Sequence, residues 1–417
     1  MQTRECDVVI IGAGVIGLAC AWYLRAAGRD VVVLERAAPG AGASHGNCGT
    51  LTPSHAPPLP APGVLRRAFG WMLRADAPLY IPPRFDPALW AWLLRFAARC
   101  NSTDHAHATR VRAKLLNRSL QALDGLLAAT GIECSFSRGG LLYVFRNPDW
   151  RAHYGSLPEN LAQLGIRAEA WDGARMAHEE PALKPGVTGG ILFPDDAQLR
   201  PDRLVAGLAR VVRAAGVEIL EQSEAGDFEL RGGRILSVQA GPLRLQPREV
   251  VLAAWAWSPA LGRRLGLRLP IQPGKGYSMT FSPPAPAPRR ALVLKEPSVY
   301  ATAWEDGFRI GSTMEFSGYD ARLNAVRLGA LRRAADEFLA GPELGEPVET
   351  WYGWRPMTSD DIPVIGRAPG LQNLVVATGH GMLGMSMAAA TGELVRDILA
   401  GTATEDWLRP LSPARFT

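Results

Sequence analysis

The sequence predicts an α/β fold: a parallel sheet covered by helices, interrupted by an inserted domain with a mixed sheet. Three observations predict it. Residues 7–35 read as strand, glycine turn, helix and strand. Buried strands of the same kind return at 217–220, 249–254 and 374–377, the last followed by a glycine-rich turn and a helix. The stretches between these returns carry strand pieces of their own. At 417 residues the chain is too long for one compact core. The expected division is 1–79, 197–269 and 350–417 for the parallel-sheet domain, with 80–196 and 270–349 as the insert.

In the opening unit, residues 8–11 form a strand and 18–27 the helix that follows. Gly12 permits the tight turn, Gly14 lets the backbone approach a pyrophosphate, and Gly17 lets helix and strand pack closely. Free N–H groups at the helix start, around Val15 and Ile16, point at the phosphates. Residues 31–34 form the second strand. Glu35 at its end accepts from ribose hydroxyls, with Arg36 beside it. With strand, helix, strand and acid all in place, the unit is an adenine-dinucleotide site, and NAD fits it as well as FAD.

Residues 36–63 are rich in Gly, Ala, Ser and Pro, and sustain no long helix. Residues 71–100 carry Trp71, Trp90, Trp92, Leu93, Leu94 and Phe96. Core and interdomain packing is expected of them, with an interfacial helix on a membrane as the alternative. Helical periodicity marks 109–130, and 140–145 and 190–193 read as strands of a second sheet. An amphipathic helix at 202–216 and a hairpin turn at 231–235 complete the returning half. The chain leaves again over 271–324, around Tyr277 and Tyr300, before the last strand, the turn at 378–384 and the helix at 385–399. A flavoprotein brings its C-terminal strand, turn and helix back to the cofactor, which a nicotinamide dehydrogenase rarely needs, so FAD is expected.

The net charge of +5 comes from scattered arginines, which argues against a nucleic-acid stripe and permits contact with an anionic membrane face. Five cysteines (Cys6, Cys20, Cys48, Cys100, Cys134) without CxxC spacing argue against a disulfide framework or a metal site. A strand within ten residues of Met1 leaves no room for a signal peptide, and no apolar run spans a bilayer. A cytoplasmic location is expected, with peripheral contact at the inner face of the cell membrane as an option.

Further motifs follow in order: Gly42-Ala43-Ser44 with Asn47 and Gly49; Pro273-Gly274-Lys275-Gly276-Tyr277-Ser278; Trp351-Tyr352-Gly353-Trp354-Arg355-Pro356-Met357-Thr358; and Thr378-Gly379-His380-Gly381-Met382-Leu383-Gly384. Together with the opening fingerprint, and spread over nearly the whole chain, they resemble the D-amino-acid oxidase family of flavoproteins. Within it the likeness is to the bacterial D-amino-acid dehydrogenases of small-subunit type. The resemblance implies a discontinuous, glutathione-reductase-like Rossmann domain that holds FAD. Two departures stand out: Trp255 where the family usually has glycine, and His55 where these dehydrogenases tend to carry an aromatic residue.

That resemblance implies oxidation of a D-amino acid, or of a cyclic D-imino acid such as D-proline or hydroxy-D-proline, at Cα to the imine. A hydride passes to flavin N5, and an acyclic imine is hydrolysed to the 2-oxo acid and ammonia. Arg355, in the Gly-x-Arg-Pro motif, is the first choice for the substrate carboxylate, since a guanidinium offers a bidentate fork. Pairing with Asp360 or Asp361 is its structural alternative. Tyr277 and Tyr300 donate to the carboxylate or wall the pocket, or else are core residues. His55 touches the substrate amine or the pocket rim, or lies on a surface loop. His380 belongs by the flavin edge and is not expected to accept a proton.

For the cofactor, the turn through Gly379, His380, Gly381, Met382, Leu383 and Gly384 aims N–H groups at the pyrimidine edge of the ring. Ser44, Asn47, Gly49, Thr50 and Leu51 serve the pyrophosphate or the ring. Related amine oxidases tether FAD through a histidine that aligns with Gly46, so despite His45 and Cys48 a non-covalent FAD is expected. The electron acceptor implied is a quinone or the respiratory chain. Alternatives are a glycine- or sarcosine-type amine oxidase using oxygen, a non-catalytic flavin-binding subunit, and an NAD-dependent dehydrogenase.

Overall fold

The computed structural model describes residues 2–66, 70, 76–341 and 344–416. Its first sheet is built around the strand Gln2–Ile11, which runs parallel to Val31–Leu34 on one side and to Leu243–Leu252 on the other. Glu218–Leu220 extends the first edge, and Leu374–Thr378 lies parallel beside Leu243–Leu252. Val8 to Ile11, Val31 to Leu34 and Leu374 to Ala377 are all buried. Such continuous apolar runs are what a parallel sheet covered on both faces demands. The helices Val15–Ala26 and Gly384–Ala400 pack on each other over this sheet. They approach so closely that a Cβ on Gly392 would stand 2.8 Å from the Ala19 carbonyl oxygen.

The second sheet is mixed. Its strands run in the order Glu349–Thr358, Ile271–Phe281, Gly307–Glu315, Val299–Trp304, Ala291–Leu294, Leu141–Phe145, Gly189–Phe193 and Glu169–Asp172. Ala291–Leu294 is parallel to Leu141–Phe145, and the other pairs along this order are antiparallel. One expected boundary is corrected here. Glu349–Thr358 pairs residue by residue with Ile271–Phe281, from Ile271 opposite Thr358 to Thr280 opposite Glu349. A division at 350 would therefore cut a strand from its sheet, and Arg355 stands on the second sheet.

The helix expected over 109–130 begins earlier, as Ser102–Thr130, because the Asn101 side chain accepts from the Asp104 N–H and caps it. Gly131, at φ 62°, ends it. This helix packs on Gly384–Ala400 and ties the insert to the first domain. In Pro87–Ala98, Leu89 and Trp92 are buried, and Trp92 Nε1 donates to the Met357 carbonyl at 2.9 Å. Packing is thus the role of Trp92, while Trp90 and Leu94 are 54% and 73% exposed. Trp71 lies outside the described residues. All five cysteines are free, and among the described residues no helix is long and apolar enough to cross a membrane.

Candidate active site

A cavity of about 670 Å³ opens at the C-terminal ends of the parallel strands, between the two sheets. This is where open α/β sheets bind ligands. Two helix N-termini face it. The helix Val15–Ala26 starts at Gly14, and that of Gly384–Ala400 at Leu383, and neither N-cap residue caps its own helix with a side chain. Among the described residues only Ser44 Oγ reaches one of them, accepting from the Val15 N–H at 3.1 Å. Glu35 accepts from the Ala13 and Ala37 N–H groups at 2.8 and 3.0 Å, which fixes its carboxylate at the wall with lone pairs to spare. The Arg36 guanidinium stacks 4.2 Å over the Trp257 ring.

Among the described residues, buried polar atoms on the same wall have no partner: Thr52 Oγ1, the indole nitrogens of Trp255, Trp257 and Trp354, and Arg112 Nε. Orphaned donors around an enclosed space, beside two open helix ends, fit a large polar and anionic occupant of dinucleotide kind.

Of the residues expected at the cofactor, Gly12, Gly14, Val15, Ile16, Glu35, Arg36, Ser44, Asn47, Thr50, His380, Gly381, Met382, Leu383 and Gly384 line the cavity. Gly17, Gly49, Leu51 and Gly379 do not; they shape the backbone behind it. A Cβ on Gly17 would lie 1.9 Å from the Gly12 carbonyl oxygen, and one on Gly49 would lie 2.0 Å from that of Leu199. Leu51 is buried and pairs with Ala197. Gly379 takes φ 75° and backs onto Thr358 and Val364.

Arg355, Tyr277, Tyr300 and His55 all line the cavity. The guanidinium of Arg355 lies across Gly276, where a Cβ would stand 2.3 Å from Cζ. Its Nη1 donates to the Thr313 carbonyl at 2.6 Å. Burial pushes its pKa down, opposed by nearby Cys48 and Tyr300. Pairing with the neighbouring aspartates is not realised. Asp360 pairs with Arg415 at 2.8 Å, and Asp361 is taken by the buried Arg112. Among the described residues Arg355 has no carboxylate partner.

Tyr277 donates to Glu315 Oε2 at 2.9 Å, so its hydroxyl hydrogen is committed to the second sheet. Tyr300 meets His55 instead, its hydroxyl 2.7 Å from Nε2. His55 is thus inside the cavity wall rather than on a surface loop. Burial first, then Lys295 and Arg112, push its pKa down to about 3, which keeps the imidazole neutral. His380 lines the cavity, but its Nε2 lies 3.0 Å from Thr391 Oγ1 of the helix Gly384–Ala400.

The sequence reading missed several residues. Arg112 donates to the His55 carbonyl at 2.8 Å and pairs with Asp361, which in turn accepts from the Leu59 N–H at 2.9 Å, clamping the His55 loop. Arg309, 1% exposed, holds the 45–47 loop by donating to the His45 and Asn47 carbonyls. His45 Nε2 is engaged by Glu349 at 2.5 Å. At Gly46 a Cβ would fall 2.0 Å from the Trp351 ring, and at Gly42 one would fall 2.6 Å from the ring of Trp255, itself at φ 53°. None of these contacts has a local sequence signal, since each partner comes from a distant segment.

A search of protein families matches residues 7–398 to "FAD dependent oxidoreductase". A D-amino acid dehydrogenase of Paramagnetospirillum magneticum is 36% identical over 418 residues, covering 98% of this chain and 99% of that protein. One of Methylobacterium nodulans is 34% identical with the same coverage. In fold, the chain is similar to a glycine oxidase from Geobacillus kaustophilus (TM-score 0.78, 24% identity, 99% of each chain). It is likewise similar to an L-proline dehydrogenase from P. horikoshii (TM-score 0.77, 19% identity, 100% of this chain and 98% of the other). With the helix ends, the acid on the second strand and the returning glycine turn around one cavity, the chain belongs to the FAD dependent oxidoreductase family.

Proposed function

We propose that this FAD-dependent oxidoreductase oxidises a D-amino acid, or a cyclic D-imino acid such as D-proline or hydroxy-D-proline, at Cα. The observation that carries the reading is Arg355: a guanidinium facing the cavity with no carboxylate partner among the described residues. A half-buried cation without a counter-ion is costly, and a substrate carboxylate supplies the missing charge. The names of the relatives support the amino-acid class and the D configuration.

FAD, when bound, supplies the hydride acceptor. The N–H groups around Gly14, Val15 and Ile16, and those of the Gly381 to Gly384 turn, would hold its anionic and electron-rich edges, with Glu35 on a ribose. Ser44 and Asn47 line the same stretch. Arg355 holds the carboxylate, Tyr300 and His55 stand at the amine, Tyr277 walls the pocket, and His380 shapes the turn without exchanging a proton. The flavin is held non-covalently: Trp351 fills the space over Gly46, and His45 is turned to Glu349. Sheet membership supports domains of 1–78, 197–269 and 359–417 against 79–196 and 270–358.

Electrons then pass to a quinone or the respiratory chain rather than to oxygen, in keeping with the dehydrogenase names of the relatives. Phe85, Trp90 and Leu94, exposed in and just before the helix Pro87–Ala98, support peripheral contact with a membrane face. The test is anaerobic bleaching of the flavin by a panel of D- and L-amino acids, D-proline derivatives, glycine and sarcosine. Bleaching by D-amino or D-imino acids is expected. Protein that holds no flavin, or flavin that stays oxidised throughout, overturns the reading, and peroxide formation in air marks an oxidase.

A further inference from the structure

Four side chains run in an unbroken hydrogen-bonded line from the cavity into the core. Tyr300, at the wall, lies 2.7 Å from His55 Nε2, and the Tyr143 hydroxyl lies 3.3 Å from the same nitrogen. His55 Nδ1 is 3.1 Å from Ser54 Oγ. Ser54 donates through its hydroxyl to Asp196 Oδ2 and through its backbone N–H to Oδ1 at 3.1 Å. Asp196 is fully buried, and among the described residues no arginine, lysine or histidine forms an ion pair with it.

With Asp196 ionised, one arrangement of hydrogens satisfies the whole line. The Ser54 hydrogen goes to Asp196, so Ser54 Oγ accepts from His55 Nδ1–H. Nε2 is then an acceptor and takes the Tyr300 hydrogen, which leaves the Tyr300 oxygen facing the cavity as an acceptor. With Asp196 protonated, every bond reverses, and Tyr300 faces the cavity as a donor. The two arrangements differ by one proton, moved one bond at each link.

We propose that Tyr300, His55, Ser54 and Asp196 form a proton relay that takes the proton from the substrate's ammonium group before Cα is oxidised; this rests on the amino-acid reading above. An N–H bond of the ammonium breaks and its proton binds the Tyr300 oxygen. The Tyr300 proton moves to His55 Nε2, the Nδ1 proton to Ser54 Oγ, and the Ser54 proton to Asp196 Oδ2. An ammonium and a carboxylate become an amine and a carboxylic acid, with no electron transferred between them. The free lone pair of the amine then assists hydride departure from Cα. After the product leaves, the line reverses and returns the proton to water in the cavity. Tyr300 and His55, both in the wall, are the members that meet the substrate. Ser54 and Asp196 act through them as positioning and proton-holding residues.

The surroundings suit this traffic. Burial pushes Asp196 up to about 8; Ser54's two bonds pull it down and Asp195 raises it further. That brings its proton affinity close to that of an amine. Lys295 and Arg112 face His55 and discourage the imidazolium, so the ring passes a proton without keeping it. Lys295 also sits 4.2 Å over the Tyr143 ring and 4.5 Å over that of Tyr154, and Arg355 and Cys48 face Tyr300.

The experiment mixes FAD-loaded protein anaerobically with the D-amino acid that bleaches it fastest, from about pH 6 to about pH 10, for wild type, Asp196→Asn and Ser54→Ala. In the wild type the rate constant should rise with a midpoint near that of Asp196 and then level off. In both variants it should fall roughly 10²-fold at neutral pH and recover only where the free ammonium group itself titrates. Ser54→Ala leaves the acid in place, so it serves if Asp196→Asn fails to hold FAD. The wild type alone adds a second readout, a solvent deuterium effect on bleaching at neutral pH that fades at high pH. Variants with the wild-type pH profile, or with an equal loss at every pH, overturn the relay. A wild type that no amine bleaches overturns the amino-acid reading, and the relay with it.

Discussion

Replacing Arg355 by methionine keeps the stem and removes the charged fork, and it should separate substrate binding from folding. Among the described residues the guanidinium donates through Nη1 to the Thr313 carbonyl and, at 3.9 Å, to Met314 Sδ, and otherwise lies over the bare backbone of Gly276. Its remaining N–H groups suffice for a bidentate carboxylate. Charge-assisted bonds are worth about 1.5–3 kcal/mol each, so losing two costs about 3–6 kcal/mol. At about 1.4 kcal/mol per decade this is a fall of roughly 10²–10⁴-fold in kcat/KM. The fold has little to lose: the Thr313 bond, worth about 1.5–3 kcal/mol as a charge-assisted bond, is offset by removing a cation that burial already disfavours. Arg355→Lys keeps the charge without the fork and should fall between, roughly 10–10²-fold down. Stopped-flow bleaching under nitrogen gives the rates, and flavin content and thermal unfolding give the control. An FAD-loaded Arg355→Met enzyme within about threefold of wild-type kcat/KM refutes the assignment.

Four further outcomes follow from the same geometry. Acid precipitation should leave the flavin in the supernatant, and Gly46→Ala, whose Cβ would meet the Trp351 ring at 2.0 Å, should destabilise the fold by an overpacking cost of about 1–3 kcal/mol, read as a lower Tm. Yellow colour retained in the pellet would show a covalent bond. Asp361→Asn leaves Arg112 buried without its counter-charge and should cost about 3–5 kcal/mol in denaturant unfolding, with the His55 loop loosened; a loss below about 1 kcal/mol would count against the clamp. His55 and His380 are both pushed down to about 3 by burial, so each refuses a proton that the unfolded chain accepts below about 6.5. Their stabilisation is complete above about 6.5 and is lost as pH falls towards about 3, at up to about 1.4 kcal/mol per pH unit each. His380→Asn should remove one such share from the acid limb, as measured by urea unfolding at a series of pH values.

The first domain was legible because its signals are local. Gly12, Gly14 and Gly17 act within six residues of each other, and the buried runs at 8–11, 31–34 and 374–377 each announce a parallel strand. The second sheet was legible only in pieces. Nothing near Glu349–Thr358 says that its partner is Ile271–Phe281, because the pairing is set by facing glycines: Gly276 stands opposite Gly353, and the gap takes the Arg355 guanidinium and the Trp351 ring. That is why the expected boundary at 350 falls inside a strand. The same distance effect hid Arg309 and Arg112, whose acceptors are carbonyls of loops far away in sequence.

The site itself turns on which polar groups have partners, and sequence is silent on that. Asp360 and Asp361 follow Arg355 closely enough to look like its counter-ions, yet Arg415 and Arg112 claim them, and this leaves Arg355 for a ligand. Asp196 shows the converse, an acid made unusual by the cation it lacks. The two departures from the family pattern divide along the same line. Trp255 sits at φ 53° with its indole N–H buried at the cavity wall and no acceptor among the described residues, so its polar atom is left for whatever fills the cavity. At His55 both ring nitrogens are engaged, one by Tyr300 at the wall and the other by Ser54 on the way to Asp196. A tyrosine or phenylalanine there could fill the same wall, but it has no second nitrogen with which to hand a proton inward. The residue that departs from the pattern is thus the one that joins the cavity to its buried acid.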